Sequence, residues 1–285
     1  MKIMSDTITI LRNKISDLTD SQKMVGNYIL KNPSEVAFLT VDELSRQVGT
    51  STTTIMRLSV NLGYSGYTEF QKGLQTLLRN QTAPFNRLEK NVRDVSQDNL
   101  WVSSINYNIN QIQSVTDLVT DELLELVIEK IMSAKRIFCV SVRSGLPVGQ
   151  YLTHGINRTL GNCKLIEPDN SEWIDDVISF DSSDLVIATS FPRYAKRIID
   201  FVSIAREYNA SVVSITDNYS SPIVNHSDIV LPCDSSSMAF HNSPLVAMIV
   251  ADYLISAIAI RNLESTKKRL NEVNALLSKV NYHIK

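Results

Sequence analysis

The apolar residues change their period once along this chain, and that change calls for two bodies of different class. From about Thr7 to Gln81 they recur at helical spacing, with few strand signals. From Asp121 onward, short β-branched runs alternate with helical stretches. The candidate strands are Arg136 to Val142, Lys164 to Glu167, Leu185 to Thr189, Ser211 to Thr216 and Ile229 to Pro232. Apolar runs without alternation belong to strands covered on both faces. Helices fit between them, as at Leu146 to Leu160 and Ala195 to Tyr208. The rhythm therefore predicts an all-α domain followed by an α/β domain with a doubly wound, parallel, five-stranded sheet. A chain of 285 residues has material for two such cores.

Within the helical part, punctuation is explicit. Thr19 with Gln22 reads as a capping box opening a helix that carries Val25, Tyr28, Ile29 and Leu30. Asn32-Pro33 ends it, because a residue before proline avoids helical dihedrals. Asp42 to Val48 is a short helix, Gly49 supplies a turn, and Ser51 caps the next helix. That helix turns Ile55, Leu58 and Leu62 inward and stops at Gly63, and Tyr67 to Leu78 forms one more. This predicts a three-helix core with a helix-turn-helix over residues 1–80. Residues 81–120 are expected to connect, with a polar, partly helical linker around Pro84 and a helix from Leu100 to Leu118. Residues 121–285 form the α/β domain with its C-terminal helix, Glu264 to Tyr282. That last helix covers its own core or an oligomer contact.

Charge is divided unevenly between the parts. Met1 to Arg93 holds 12 Lys and Arg against 8 Asp and Glu, and the remainder 16 against 22. A mildly basic front on an acidic body suits a polyanionic partner for the front alone. Cys139, Cys163 and Cys233 lie in or beside apolar runs and read as buried reduced thiols. Met1 to Leu11 lacks the apolar core of a secretory signal, and Asp252 and Ser256 interrupt the apolar stretch Pro244 to Ile260. The expected compartment is the cytoplasm, with no membrane partner.

The helix from Ser51 to Leu62 is the candidate recognition helix. Its polar face carries Ser51, Thr52, Thr53, Arg57 and Asn61, with Thr40 and Ser45 before the turn. Hydroxyls and free N–H groups at a helix start bind phosphate, and an arginine one turn on neutralises phosphate or reaches guanine. A solvated amphipathic hairpin is the alternative on periodicity alone. Four consecutive hydroxyl residues, Ser51-Thr52-Thr53-Thr54, are mediocre helix formers, and capping accounts for one of them. Double-stranded DNA is the expected partner.

In the α/β part, ligands belong at the carboxyl ends of strands. Three such ends are polar: Ser141-Val142-Arg143-Ser144, Ser190 with Arg193 and Tyr194, and Asp234-Ser235-Ser236, with His241 following. Ser141, Arg143, Ser144, Ser190, Arg193, Tyr194, Ser235, Ser236 and His241 are the candidate binding residues for a small anion. Serines after strands also serve as plain helix caps, and Arg143 has the alternative of an acidic neighbour. No glycine-rich phosphate loop, His/Cys metal spacing or Ser/His/Asp set is present, so neither cofactor, metal nor catalytic residue is expected. Of the four histidines, His154, His226, His241 and His283, His241 is the best placed to act as a base, with a satisfied helix-start residue as the commoner reading.

Two long phrases carry a resemblance. LTDSQKMVGNYIL and DELSRQVGTSTTTIMRLSVNLGYSGYTEFQ resemble the N-terminal domain of RpiR-family transcription regulators. Residues 121 to 262 resemble the SIS domain, a sugar isomerase fold, and include the family-like phrase ITDNYSSPIVNHSD. The resemblance implies a regulator of carbohydrate metabolism acting as a homodimer or tetramer on a two-fold DNA operator, with a sugar phosphate or sugar acid as effector. A phosphosugar isomerase with an added helical domain is the alternative. One loop departs from the family. Where SIS domains read roughly S-x-S-G-x-T, this chain reads SFPRYA: Ser190 keeps the first hydroxyl, but Pro192, Arg193 and Ala195 replace serine, glycine and threonine.

Overall fold

The computed structural model describes residues 7–81, 83–94 and 99–282, which leaves His283 and the first six residues outside the description. The chain divides into one unit ending at Lys90 and another starting at Asn91.

The first unit runs α1 (Thr7–Lys14), a 3-10 turn (Ile15–Asp17), α2 (Asp20–Lys31), α3 (Pro33–Val36), α4 (Val41–Val48), α5 (Thr52–Asn61) and α6 (Tyr67–Gln81). Its boundaries follow from local chemistry. The Gln22 side chain accepts the Thr19 N–H at 3.3 Å, closing the start of α2. Pro33 opens α3, at the position where a missing N–H costs nothing. Glu43 accepts from the Thr40 N–H at 2.7 Å and from its hydroxyl at 2.8 Å at the start of α4. Gly49 ends α4 in the left-handed region at φ 72°, which the tight turn to α5 requires. Leu11, Val25, Ile29, Leu44, Ile55, Leu58, Phe70 and Leu74 form the shared core. The Tyr67 hydroxyl donates to the Leu39 carbonyl at 2.8 Å, satisfying a polar tip inside that core.

Helix α7 (Pro84–Asp94) begins before the division, so the stretch expected as a linker contains a helix. The second unit continues with α8 (Leu100–Val115), α9 (Asp121–Ser133), β1 (Arg136–Val140), α10 (Leu146–Thr159), β2 (Cys163–Ile166) and α11 (Trp173–Val177). It proceeds through β3 (Asp184–Ser190), α12 (Lys196–Glu207), β4 (Ser211–Thr216), β5 (Ile229–Pro232), α13 (Leu245–Arg261) and α14 (Leu263–Lys279). The sheet has five parallel strands in the order β2-β1-β3-β4-β5. Residues of α9, α10 and α13 pack on one face, with Ile128, Leu152 and Leu254 fully buried. Residues of α12 pack on the other, where Phe201 lies between Trp173 and Phe180. The chain leaves β1 through α10 toward β2 and leaves β3 through α12 toward β4, on opposite faces. The winding reverses between β1 and β3, and that switch point is where a crevice opens.

At the amino ends of the same two strands, Asp184 is buried and takes the Arg136 guanidinium at 2.7 Å. Arg136 also donates to the Ser179 carbonyl at 2.7 Å, so the register there is pinned by paired charge. Cys139 and Cys233 are buried free thiols; Cys163 is also free but only half-buried, with its sulfur 3.5 Å from that of Cys139. Helix α13 buries Val246, Ala247, Val250, Ala251, Leu254 and Ile258 within its own unit. Among the described residues no single helix is long and apolar enough to cross a membrane.

Candidate nucleic-acid interface and ligand cavity

Helix α5 presents one buried and one open face. Ile55, Leu58 and Ser59 face the core, while Ser51, Thr53, Arg57, Val60 and Asn61 are exposed and Thr52 is half-buried. Ser51 is the cap: its hydroxyl accepts the Thr54 N–H at 3.2 Å and lies 2.9 Å from the Thr54 hydroxyl. Two of the four consecutive hydroxyls are thereby joined to each other. Thr52, Thr53 and Arg57 remain on the open face. Thr40 spends its hydroxyl on the capping box of α4, and Ser45 donates to the Asp42 carbonyl at 2.8 Å. The Asn61 amide donates to Gln22 at 3.2 Å, tying the end of α5 to the start of α2. Lys14 donates to the Asn61 carbonyl at 2.8 Å and closes that helix end. The face thus narrows to Thr52, Thr53 and Arg57, with Ser51 at its edge.

In the second unit, a cavity of about 290 Å³ opens at the carboxyl ends of β1 and β3, on the switch point. Its walls come from Arg143, Ser144 and Gly145 after β1 and from Thr189 to Arg193 after β3. Ala195 and Ile198 of the α12 start and Asn242 complete it. Of the residues expected there, Arg143, Ser144, Ser190 and Arg193 are together. Ser141 sits fully buried beneath, accepting the Thr189 hydroxyl at 2.7 Å. Tyr194, Ser235, Ser236 and His241 are not in the lining. Tyr194 turns toward β4, and Ser236 donates to Asp234 at 2.7 Å within its own turn.

Three features make the cavity receptive to an anion. First, Ser190 is 3% exposed and its hydroxyl oxygen has no hydrogen-bond partner. A buried polar atom in that condition costs about 1–3 kcal/mol unless something else meets it. Second, α12 starts at Ala195 without a side-chain cap, whereas the start of α10 is closed by the Gly145 N–H to the Val142 carbonyl and the Leu146 N–H to the Arg143 carbonyl, with Pro147 carrying no N–H. The dipole of α12 favours negative charge at that end, beside the cavity lining residues Ala195 and Ile198. Third, Arg143 and Arg193 are exposed, form no ion pair among the described residues, and hold left-handed backbone at φ 53° and 71°. For a residue with a Cβ that conformation costs about 1–2 kcal/mol each. Gly145 is required by close approach, since a Cβ on it would collide with the Thr189 hydroxyl.

Beside the cavity, the Tyr194 hydroxyl donates to both oxygens of Asp217 at 3.1 Å. Burial pushes the Asp217 carboxyl up to about 6, against the hydrogen bonds from Tyr194 and Thr216 that pull it down. Burial and the Asp217 charge raise the Tyr194 phenol, so it stays a neutral donor. Sequence reading missed Thr189, Asn242 and Asp217, and it expected Tyr194 at the ligand rather than on that carboxylate. Asn242 donates to the Pro192 carbonyl at 3.0 Å, which braces the second loop, but nothing in its neighbourhood in the sequence signals that role.

Comparison with known proteins fits this geometry. Residues 5–81 match the helix-turn-helix domain of the rpiR family, and residues 130–260 match the SIS domain. An uncharacterized HTH-type transcriptional regulator of Caldanaerobacter subterraneus is 24% identical over 280 residues, covering 96% of this chain and 98% of the relative. The NanR protein of Vibrio vulnificus, solved in complex with ManNAc-6P, superposes with a TM-score of 0.67 at 23% identity, over 96% of this chain and 99% of that one. The sugar isomerase domain of an RpiR transcription factor from Sphaerobacter thermophilus gives 0.60 at 23% identity, over 62% of this chain and 98% of that one. The two matched domains stand in the same chain in the order found here, and the chain belongs to the RpiR family of helix-turn-helix transcriptional regulators with a SIS domain.

Proposed function

We propose that this protein is a DNA-binding regulator of carbohydrate metabolism whose SIS-type unit senses a small, sugar-derived anion. Helix α5 enters the major groove, Thr52 and Thr53 meet phosphate or base edges, and Arg57 supplies charge or reads guanine. The observation that carries the sensing half is the switch-point cavity, where a buried Ser190 hydroxyl without a partner among the described residues, the uncapped start of α12 and two arginines outside the described ion pairs meet. A binding role is favoured over an isomerase because no carboxylate or histidine lines that cavity among the described residues. Proton transfer next to a carbonyl needs such a base within hydrogen-bond reach. That NanR is solved with a sugar phosphate supports a phosphorylated sugar as ligand. The protein acts as a homodimer or tetramer on a two-fold operator, in the cytoplasm, and effector and operator change each other's affinity by the same factor.

The test is a binding assay with labelled DNA from the region upstream of its own gene, titrated with salt and with sugar phosphates and sugar acids. Selective, salt-sensitive binding that one of these compounds shifts is the expected result. Binding to no fragment, or turnover of a phosphosugar by the purified protein, overturns the reading.

A further inference from the structure

A second polar recess lies in the α/β unit, apart from the crevice and independent of what occupies it. It is a groove of about 440 Å³ between α10 and α14. Gln150, His154 and Arg158 stand four residues apart on α10 and so form one stripe along that helix. Arg269 and Val273 line the groove from α14 at the same spacing. No lining residue is shared with the crevice. Along α10, His154 is about 13 Å from Gly145 at the crevice, at 1.5 Å per residue.

Two arginines and a histidine line this groove, and no carboxylate does. Arg269 is held from two sides. Its Nε donates to the Asn157 carbonyl, and its guanidinium lies against Gly161, where a Cβ would collide with it. Closing the end of α10 in this way uses one N–H of the guanidinium. Arg158 and His154 have no hydrogen bond or ion pair among the described residues. The dipole of α10 accounts for a cation at Arg158, in the last turn. It accounts neither for His154, a turn earlier, nor for a fixed guanidinium on another helix. We infer that the groove is a second anion site, taking a small phosphate-type oxyanion with at least two negative charges. Two guanidiniums suit the oxygens of such a group, and the Gln150 amide is a neutral donor beside them. The bound anion bridges α10 and α14. Helix α14 fully buries only Thr266, so the bridge fastens a thinly anchored C-terminal helix to the helix that leaves the crevice.

Inorganic pyrophosphate is the probe, titrated by calorimetry into the full-length protein at constant ionic strength, with amide hydrogen exchange followed along α14. Pyrophosphate is expected to bind and to slow exchange in α14. The double variant Arg158→Gln, His154→Gln removes no described contact and should leave the melting temperature of the free protein unchanged. It should lose the α14 protection and weaken binding at the groove at least about tenfold. Arg158→Lys keeps the charge and should keep most of the protection. Ser190→Ala, at the crevice, should keep all of it. No binding to the wild-type protein overturns the second site, and so does binding that leaves α14 exchange unchanged. Protection that survives the double variant and vanishes in Ser190→Ala puts the anion in the crevice and overturns it as well. Each of these results leaves the sensing reading standing.

Discussion

The two units start their working helices in opposite ways. In the first, α4 and α5 open on Thr40 and Ser51, whose hydroxyls accept N–H groups of their own helices. In the second, α12 opens on Ala195, and no described side chain caps it. A helix closed by its own residues is complete when it folds. A helix left open beside an arginine and a buried hydroxyl is completed by something arriving from outside. The first unit is thus finished chemistry with a narrow open face, and the second carries its unmet demands in one place.

Experiments that attack this contrast fall in order of size. Phe201→Ala removes a fully buried ring between Trp173 and Phe180, and should cost the second unit about 3–5 kcal/mol in denaturant unfolding. The strained loops matter only if this core beneath them is firm, so a much smaller loss would blunt the comparison. Next comes pH. Asp217 holds its proton to about 6 when folded, against an ordinary value of 3.8. The folded state therefore binds more protons than the unfolded one between those values, and this group's contribution to stability falls as pH rises through that window. Asp217→Asn should flatten the fall, a difference of roughly 2–3 kcal/mol between wild type and variant across the window. An identical pH profile for the two proteins would show that the carboxyl is not held in its buried, protonated form.

In the first unit, Arg57→Ala should weaken operator binding by about 1–3 kcal/mol with no change in melting temperature. Ser51→Ala should do the reverse first, lowering stability by about 1 kcal/mol through loss of the cap. If Ser51→Ala leaves stability intact, α5 is not closed by its own cap and the contrast with α12 weakens. The smallest effect sharpens the other side: Arg193→Gly should gain about 1 kcal/mol of stability by relieving left-handed strain.

Much of the fold was legible because it rests on local rules. Gly49, Thr19 with Gln22, and Asn32-Pro33 mark their boundaries through backbone chemistry that acts within a few residues. Strands β4 and β5 fall where their unbroken apolar runs place them. Helix α11 went unseen because five residues give no period to read. The stretch around Pro84 read as a partly helical linker because α7 is polar on average, and its short stripe of Phe85, Leu88 and Val92 is too brief to set a period against so many polar residues. At the cavity, chain position marked Arg143, Ser144, Ser190 and Arg193, since they directly follow strands. Asn242 and the turning of Tyr194 toward Asp217 depend on contacts across 50 and 23 residues, which no local pattern encodes. The left-handed arginines are the sharpest case, because propensity argues against both.

Both arginines hang on short connections beyond the strand ends, outside the hydrogen-bonded ladder. A lineage meeting a new nutrient needs to exchange only one or two letters at those tips, and the inherited scaffold underneath carries on untouched. Divergence in taste among such sensors is therefore cheap, and it should accumulate faster than any drift in their architecture.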